Sequence, residues 1–309
     1  MTRTRTQEFD HLRPLLFAIA YHLLGSVGEA EDAVRTTGRH WRTLPAAPRD
    51  ARAHLTAHLT RTAMDMLHAA RARRAAYTGT WLPEPLLTDP HGTPAHGTHP
   101  AGSLPTAVLL ELERLDPLQR AVFVLDEVFA FEYAQIAAAV SHPEAACRDL
   151  AAQARRRTAA ARTRPQADRA QCAALAARFF DALKDGDAGA LRELLAADAQ
   201  LVGDGGGKAP QLARTVTGDD RVARLLTSLV TLLTRIDVTV QARTVNSRPG
   251  ALLRDRDDKV LATWTLDVRD GRIHTIHSVT NPDKLAHLGP VADAWALNRE
   301  AGRTRRATT

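Results

Sequence analysis

The stretch Phe131-Glu-Tyr-Ala-Gln-Ile-Ala-Ala-Ala-Val140, then Ser141-His142-Pro143, then Glu144-Ala-Ala-Cys-Arg-Asp-Leu-Ala-Ala-Gln-Ala-Arg-Arg-Arg157, decides how this chain reads. It spells a short helix, a tight turn and a second helix, with alanines where two helices must cross closely. That is a helix-turn-helix pattern. Arg148, Gln153, Arg155, Arg156 and Arg157 make one side of the second helix cationic, while Ala146, Leu150 and Ala154 are expected to face inward. Arginine suits both guanine edges and phosphates, so the second helix reads as a DNA-contacting element. A helical hairpin with a solvated basic end is the plainer alternative.

Upstream of this pair, Asp116-Pro117 predicts a helix start, with Asp as N-cap and Pro in the first turn. Leu118, Val122, Leu125 and Phe129 follow as its buried stripe, and the helical stretch spans 104–164. An earlier one covers 1–78. There Leu12, Leu15, Leu16, Ile19 and Leu23 recur at helical spacing, and Gly25 suits a helix stop. Ser26 and Glu29 form a capping-box pattern, and a long helix from about Asp50 to Arg74 ends in Arg71-Ala-Arg73-Arg74. Between the two stretches, 79–103 reads as a flexible linker. Its run Asp89-Pro-His-Gly-Thr-Pro-Ala-His-Gly-Thr-His-Pro is rich in breakers, and no scaffold preorganises its histidines for a metal. Within the linker, Trp81-Leu82-Pro83-Glu84-Pro85 reads instead as an exposed Trp on a Pro-stiffened docking point.

From 168 to 288 the character changes. Two helices (about 168–185 and 187–196) lead into alternation at Ile236, Val238, Val240 and Ala242, repeated at Val260, Ala262, Trp264, Leu266 and Val268. Asp270-Gly271 marks a hairpin before Arg272–Thr280, so an α+β domain with an antiparallel meander is expected, followed by a tail over 289–309. The 309 residues thus hold several domains, with a net charge of +6 that admits polyanionic partners without proving one. Cys147 and Cys172 cannot build a disulfide framework and suggest no zinc site. The N-terminus shows no signal peptide and no apolar run is long enough to span a membrane, so a cytoplasmic protein is expected.

Phe9–Leu24 with Gly25-Ser-Val-Gly-Glu-Ala-Glu-Asp-Ala-Val34, then Leu59–Arg74, then Leu112–Arg157, resemble extracytoplasmic-function RNA-polymerase sigma factors. Trp81–Pro85, Asp204-Gly205-Gly206-Gly207-Lys208 and Asn281-Pro282-Asp283-Lys284-Leu285 narrow the resemblance to the subgroup with a fused SnoaL-like domain. The resemblance implies two all-α sigma domains and an α+β cone, with RNA polymerase core and promoter DNA as partners. It implies polymerase docking through Glu31, Asp32 and Arg35, contacts to the −10 element by Arg61, Arg71, Arg73 and Arg74, and contacts to the −35 element from the second helix. Arg35-Thr36-Thr37-Gly38 departs from the family pattern. Gly38 there costs a helix about 1 kcal/mol relative to Ala, and the missing acidic and aromatic residues are expected to weaken docking. Ser141-His142-Pro143 is a second departure, with Pro143 expected as first residue of the second helix.

SnoaL-like relatives include cyclases and isomerases, so a pocket enzyme fused to DNA-binding helices is the alternative function. Its acid or base would come from Asp237, Asp267, His274 or His277. Asp237 and Asp267 fall on the polar side of the alternation and are expected to face out, so catalysis is not expected and no cofactor is implied. The Gly-rich loop Asp204–Lys208 allows close approach of another surface. The three pentapeptides are therefore expected to meet at a regulatory interdomain contact, with a small-molecule ligand of the cone left open.

Overall fold

A computed structural model describes residues 4–88, 104–162, 169–210 and 214–307. The histidine-rich run expected as linker, 89–103, lies outside them. The chain divides into two compact units, one of Met1–Ala76 with Thr93–Thr163 and one of Tyr77–Gly92 with Arg164–Thr309.

The first unit is helical. Helices α1 (Arg5–Leu24), α2 (Val27–Thr43) and α3 (Ala51–Ala75) carry the first apolar stretch. Gly25 closes α1 in the left-handed conformation, while the Ser26 and Asp50 side chains cap the next two helices. Leu15, Leu16, Ile19 and Leu23 of the expected α1 stripe are buried with Leu55 and Leu59 of α3, while Leu12 is half-buried and burial in α1 extends over every residue from Leu15 to Leu24. Gly38 lets α1 approach closely: a Cβ there would lie 2.8 Å from the tip of the Phe9 ring, which would have to shift to admit it.

The second helical stretch holds α4 (Thr106–Glu113), α5 (Pro117–Phe123), α6 (Tyr133–Val140) and α7 (Glu144–Arg162). Asp116 caps α5, which widens into a π turn over Val124–Val128. The buried stripe of α7 is Cys147, Ala151, Ala154 and Thr158. Ala146 and Leu150, expected inside, are only half-buried, one position off the true stripe. Pro143 stands before the helix: its carbonyl accepts from Cys147 N–H, making it the cap position and not the first helical residue.

The second unit is α+β. Its helices are α8 (Arg169–Asp185), α9 (Ala188–Leu194), α10 (Asp219–Thr234), α11 (Pro282–Leu285) and α12 (Ala294–Ala307). Its strands are β1 (Leu87–Thr88), β2 (Leu195–Asp204), β3 (Val216–Thr217), β4 (Thr239–Val245), β5 (Arg248–Arg254), β6 (Val260–Arg269) and β7 (Arg272–Val279). They form one sheet in the order β1-β4-β5-β6-β7-β2-β3. The meander β4–β7 is antiparallel as expected, but β2 pairs parallel with β7, so the sheet is mixed. Phe179, Leu183, Val222, Leu226 and Leu233 of the helices pack with Ala251, Leu253, Trp264, Leu266 and Ile276 in one core. Ala242, expected inside, is exposed, and Ile236–Val238 precede β4.

Two segments differ from their expected roles. The expected linker is structured over Tyr77–Thr88: Leu82 and Leu86 are buried, Leu87–Thr88 add a strand to β4, and Trp81 is half-buried instead of exposed. The expected tail carries α12, whose Ala294 and Leu297 pack against the core. No helix among the described residues is long and apolar enough to cross a membrane.

Candidate functional site

The three pentapeptides converge within the α+β unit on Asp204, whose side chain is fully buried. Strand β2 ends there, and its neighbour β7 runs on through Thr280 and Asn281 to α11. The backbone N–H groups of Thr280 and Asn281 both donate to the Asp204 carbonyl, at 2.8 and 3.0 Å. Asn281 caps α11, and this places Lys284 beside the carboxylate.

Three donors saturate that carboxylate. Tyr77 O–H donates to Oδ1 at 2.5 Å, Leu82 N–H to Oδ2 at 2.8 Å, and Lys284 Nζ to Oδ2 at 2.7 Å. Lys284 also donates to the Leu82 carbonyl at 2.5 Å, and its ammonium lies 4.2 Å from the Trp81 ring centre and 4.7 Å from that of Tyr77. A buried charge pair is tolerable only when its remaining hydrogen-bonding capacity is met. Here the linker backbone and two aromatic faces meet it. Burial and the Asp204 charge push the Tyr77 phenol well above its usual range, holding it as a donor.

The loop after Asp204 is shaped to this contact. Gly206 has φ +57°, and a Cβ on it would fall 2.3 Å from Asn281 Nδ2, the group that donates to Tyr77 Oη at 2.8 Å. Lys208 and Asp283 pair at 2.5 Å on the exposed rim. Further along, Pro83 and Pro85 are buried, His287 Nε2 donates to the Pro85 carbonyl at 2.7 Å, and Glu84 lies 4.0 Å from His287. Asn246 then accepts Leu86 N–H at 2.8 Å and donates its own N–H to the Leu86 carbonyl at 2.9 Å. Sequence reasoning missed Tyr77, Asn246 and His287. Only Tyr77 carried a signal, as an aromatic at the edge of a breaker-rich segment.

The helical unit has its own buried charge cluster. Glu113 takes Arg120 Nη1 at 2.5 Å and also pairs with Arg74. Arg74 Nη2 donates to the Leu24 carbonyl at 2.7 Å and lies 3.8 Å from Glu29. Arg120 is 2% exposed, its Nη2 has no hydrogen-bond partner, and burial draws its pKa below the ordinary value against the pull of Glu113. Beside it the ring of His22 offers Nδ1–H to the Ala18 carbonyl at 2.6 Å, and its Nε2 accepts Leu104 N–H at 3.1 Å. Burial lowers His22 to a pKa of about 4. Neither Glu113 nor Arg120 was legible, because ion pairs between helices leave no periodic trace.

The expected DNA and polymerase contacts all belong to this unit. Arg73 pairs with Glu29 at 2.9 Å, and Arg61 approaches the Ala138 and Ala139 carbonyls at 3.5 Å. Arg155 bonds Asp126 at 2.9 Å and Glu127 at 2.7 Å, both carboxylates supplied by the π turn. Arg148 pairs with Glu144 at 3.3 Å and lies 4.7 Å from the centre of the Tyr133 ring. Gln119 joins Gln153 and Arg157 at 3.1 and 2.8 Å. Arg71 and Arg156 are exposed. Glu31 pairs with Arg13 at 2.8 Å and Asp32 with Arg35 at 2.6 Å.

The candidate acids and bases of the α+β unit do not assemble. In the β6–β7 register the pairs Leu266–Ile276 and Val268–Ile273 belong to the helix-covered core, and a bulge at His274 separates them. Asp267 and His277 alternate with those pairs and lie on the other face. Asp267 is buried and bonded to Arg269, correcting the expectation that it faces water. His274 lies 3.7 Å from Asp198, and burial pushes His277 down to a pKa of about 4. Asp237 sits exposed in a turn. None of them lines the cavity on the core side.

Residues 106–158 match the family described as Sigma-70, region 4. The chain is 34% identical to the ECF RNA polymerase sigma factor SigJ of Mycobacterium tuberculosis, over 97% of this chain and 98% of that protein. It is 27% identical to the probable ECF RNA polymerase sigma factor SigI of the same organism, over 89% of this chain and 93% of that one. The crystal structure of SigJ superposes with a TM-score of 0.72 and 33% identity, covering 91% of this chain and 98% of the other. With that identity and that superposition along nearly its whole length, the chain belongs to the extracytoplasmic-function RNA polymerase sigma factors.

Proposed function

We propose that this sigma factor brings RNA polymerase core to promoter DNA and that its α+β unit regulates that activity in cis by holding the linker. The observation that carries the regulatory part is the buried Asp204–Lys284 pair, saturated by Tyr77 and the Leu82 backbone. Those two residues belong to the only covalent connection between α3 and α4. While they are held to the α+β unit, Tyr77–Thr88 cannot extend, so the reach of the tether is restricted. Each released residue would add up to roughly 3.5 Å.

In this reading α7 contacts the −35 element through Arg148, Gln153, Arg155, Arg156 and Arg157. The −10 element falls to Arg61, Arg71, Arg73 and Arg74, and polymerase docks on α2 at Glu31, Asp32 and Arg35. Most of these cations are ion-paired or hydrogen-bonded inside the helical unit. That supports a resting state in which Glu113 keeps Arg74 from DNA and opening exchanges internal carboxylates for phosphates. A small molecule bound in the α+β unit would shift the balance only by favouring one state over the other.

The test is transcription by core polymerase from a matched promoter with the full chain, compared with Lys284→Met. A promoter-dependent transcript from the parent is expected, and the variant should change its yield severalfold. No transcript would refute the initiation reading, and equal yields would refute the clamp as regulator.

A further inference from the structure

Between the sheet and its helices lies a cavity of about 120 Å³, walled by Leu229, Leu233, Leu253, Leu261 and Trp264, with α12 at its rim. Its size is close to that of the roughly 150 Å³ apolar cavity that admits benzene. Among the described residues none that lines it is titratable: the polar contributors are Ser278, Thr280 and Asn298. A charged guest would lose its hydration with no counter-ion in return. Turnover is equally unsupported, since no acid or base among the described residues faces the space.

The hydroxyl groups sort the guest further. Ser278 Oγ accepts from Trp264 Nε1 at 3.1 Å, which leaves its own proton to donate. Thr280 Oγ1 is directed at the carbonyls of Asp204, at 3.3 Å, and Pro210, at 3.4 Å. Asn298 is exposed on the rim, so within the cavity Ser278 supplies the hydrogen-bond donor in a wall that is otherwise mostly apolar.

That wall is continuous with the clamp. Thr280 lines the cavity, and its N–H donates to the carbonyl of Asp204, the residue whose carboxylate holds Leu82 and Lys284. We propose that the cavity is a sensing site for a small, uncharged, mainly apolar molecule of about one ring with one oxygen acceptor, and that its occupancy is felt at the linker through Thr280 and Asp204. This rests on the regulatory reading of the clamp, which the Lys284→Met transcription test addresses without any ligand.

The full chain is titrated with p-cresol and, separately, with toluene, following Trp264 by fluorescence and the Leu82 and Leu86 amides by hydrogen exchange. Saturable p-cresol binding is expected, with an exchange change of about threefold or more at those amides. Ala294→Trp, on the half-buried rim, should abolish binding of both probes. Ser278→Ala should weaken p-cresol severalfold while leaving toluene unchanged. Absence of saturable binding, or binding that survives Ala294→Trp, overturns the site. Equal effects of Ser278→Ala on both probes overturn the assigned acceptor. Binding without any exchange change at Leu82 and Leu86 overturns the coupling, even where the transcription test has upheld the clamp.

Discussion

Each unit is organised around one carboxylate, and the two are built to opposite specifications. Asp204 in the α+β unit is fully buried, faces one ammonium and receives hydrogen bonds on both oxygens, so charge and bonding capacity balance. Glu113 in the helical unit is partly exposed and faces two guanidiniums, one of which keeps a nitrogen without a hydrogen-bond partner. The first arrangement stabilises one geometry. In the second, Glu29 also lies 3.8 Å from Arg74 and pairs with Arg73, so these carboxylates are shared among several guanidiniums, for which an outside polyanion can compete. The contrast teaches that burial of charge serves holding in one region and readiness to open in the other.

The sharpest way to break the comparison is Lys284→Met. It leaves the Asp204 carboxylate buried without its cation, which costs about 3–5 kcal/mol when one partner of such a pair is removed. Denaturation followed by hydrogen exchange should show that loss in the α+β unit and faster exchange along Leu82–Leu86, with the helical unit unchanged. A uniform loss across both units would dissolve the distinction.

Acid should act on both regions through buried neutral histidines. His22 and His277 each have a folded pKa of about 4 against an ordinary 6.5, so the unfolded chain binds more protons between those values. Stability therefore rises with pH across this window, and the contribution of each neutral ring is lost as pH falls from about 6.5 to about 4. The loss is about 3 kcal/mol per histidine. Stability of each unit, read by hydrogen exchange at pH 7, 5.5 and 4.5, checks the sign. His277→Phe should flatten the dependence in the α+β unit alone.

Glu113→Gln removes the shared anion while keeping the shape. It should destabilise the helical unit by about 2 kcal/mol, the scale of hydrogen bonds to charged groups, and raise promoter affinity severalfold by freeing Arg74. Weaker DNA binding in this variant would mean that Glu113 positions Arg74 for DNA.

What the sequence made legible follows from what each feature leaves in it. Helix caps at Ser26 and Asp116 and most of the α1 stripe are local, and the residues that create them are neighbours. The pentapeptides were recognisable as a set, although their meeting on Asp204 depends on the parallel β2–β7 pairing, which joins strands distant in sequence. Helix α10 was overlooked although Val222, Leu226, Leu229 and Leu233 repeat at helical spacing. The turn at Asn246-Ser247, where both residues take positive φ, carries no Gly to mark it in the sequence. Gly38 illustrates the reverse error: propensity alone scores it as a defect, while its lack of a side chain makes room for the Phe9 ring.

The smallest expected effect on stability separates the two kinds of cation on α7. Arg156 is exposed, whereas Arg155 is bonded to Asp126 and Glu127. Arg156→Ala should leave stability within about 0.5 kcal/mol of the parent, as for ordinary surface changes. It should reduce the slope of log affinity against log salt by about one for promoter DNA if it meets a single phosphate. Arg155→Ala should instead lower both stability and affinity, because it abandons two carboxylates in the resting unit before it loses any DNA contact. An unchanged salt slope in Arg156→Ala would remove that face of α7 from the DNA interface. The recognition surface would then have to be sought among the cations that the helical unit already holds.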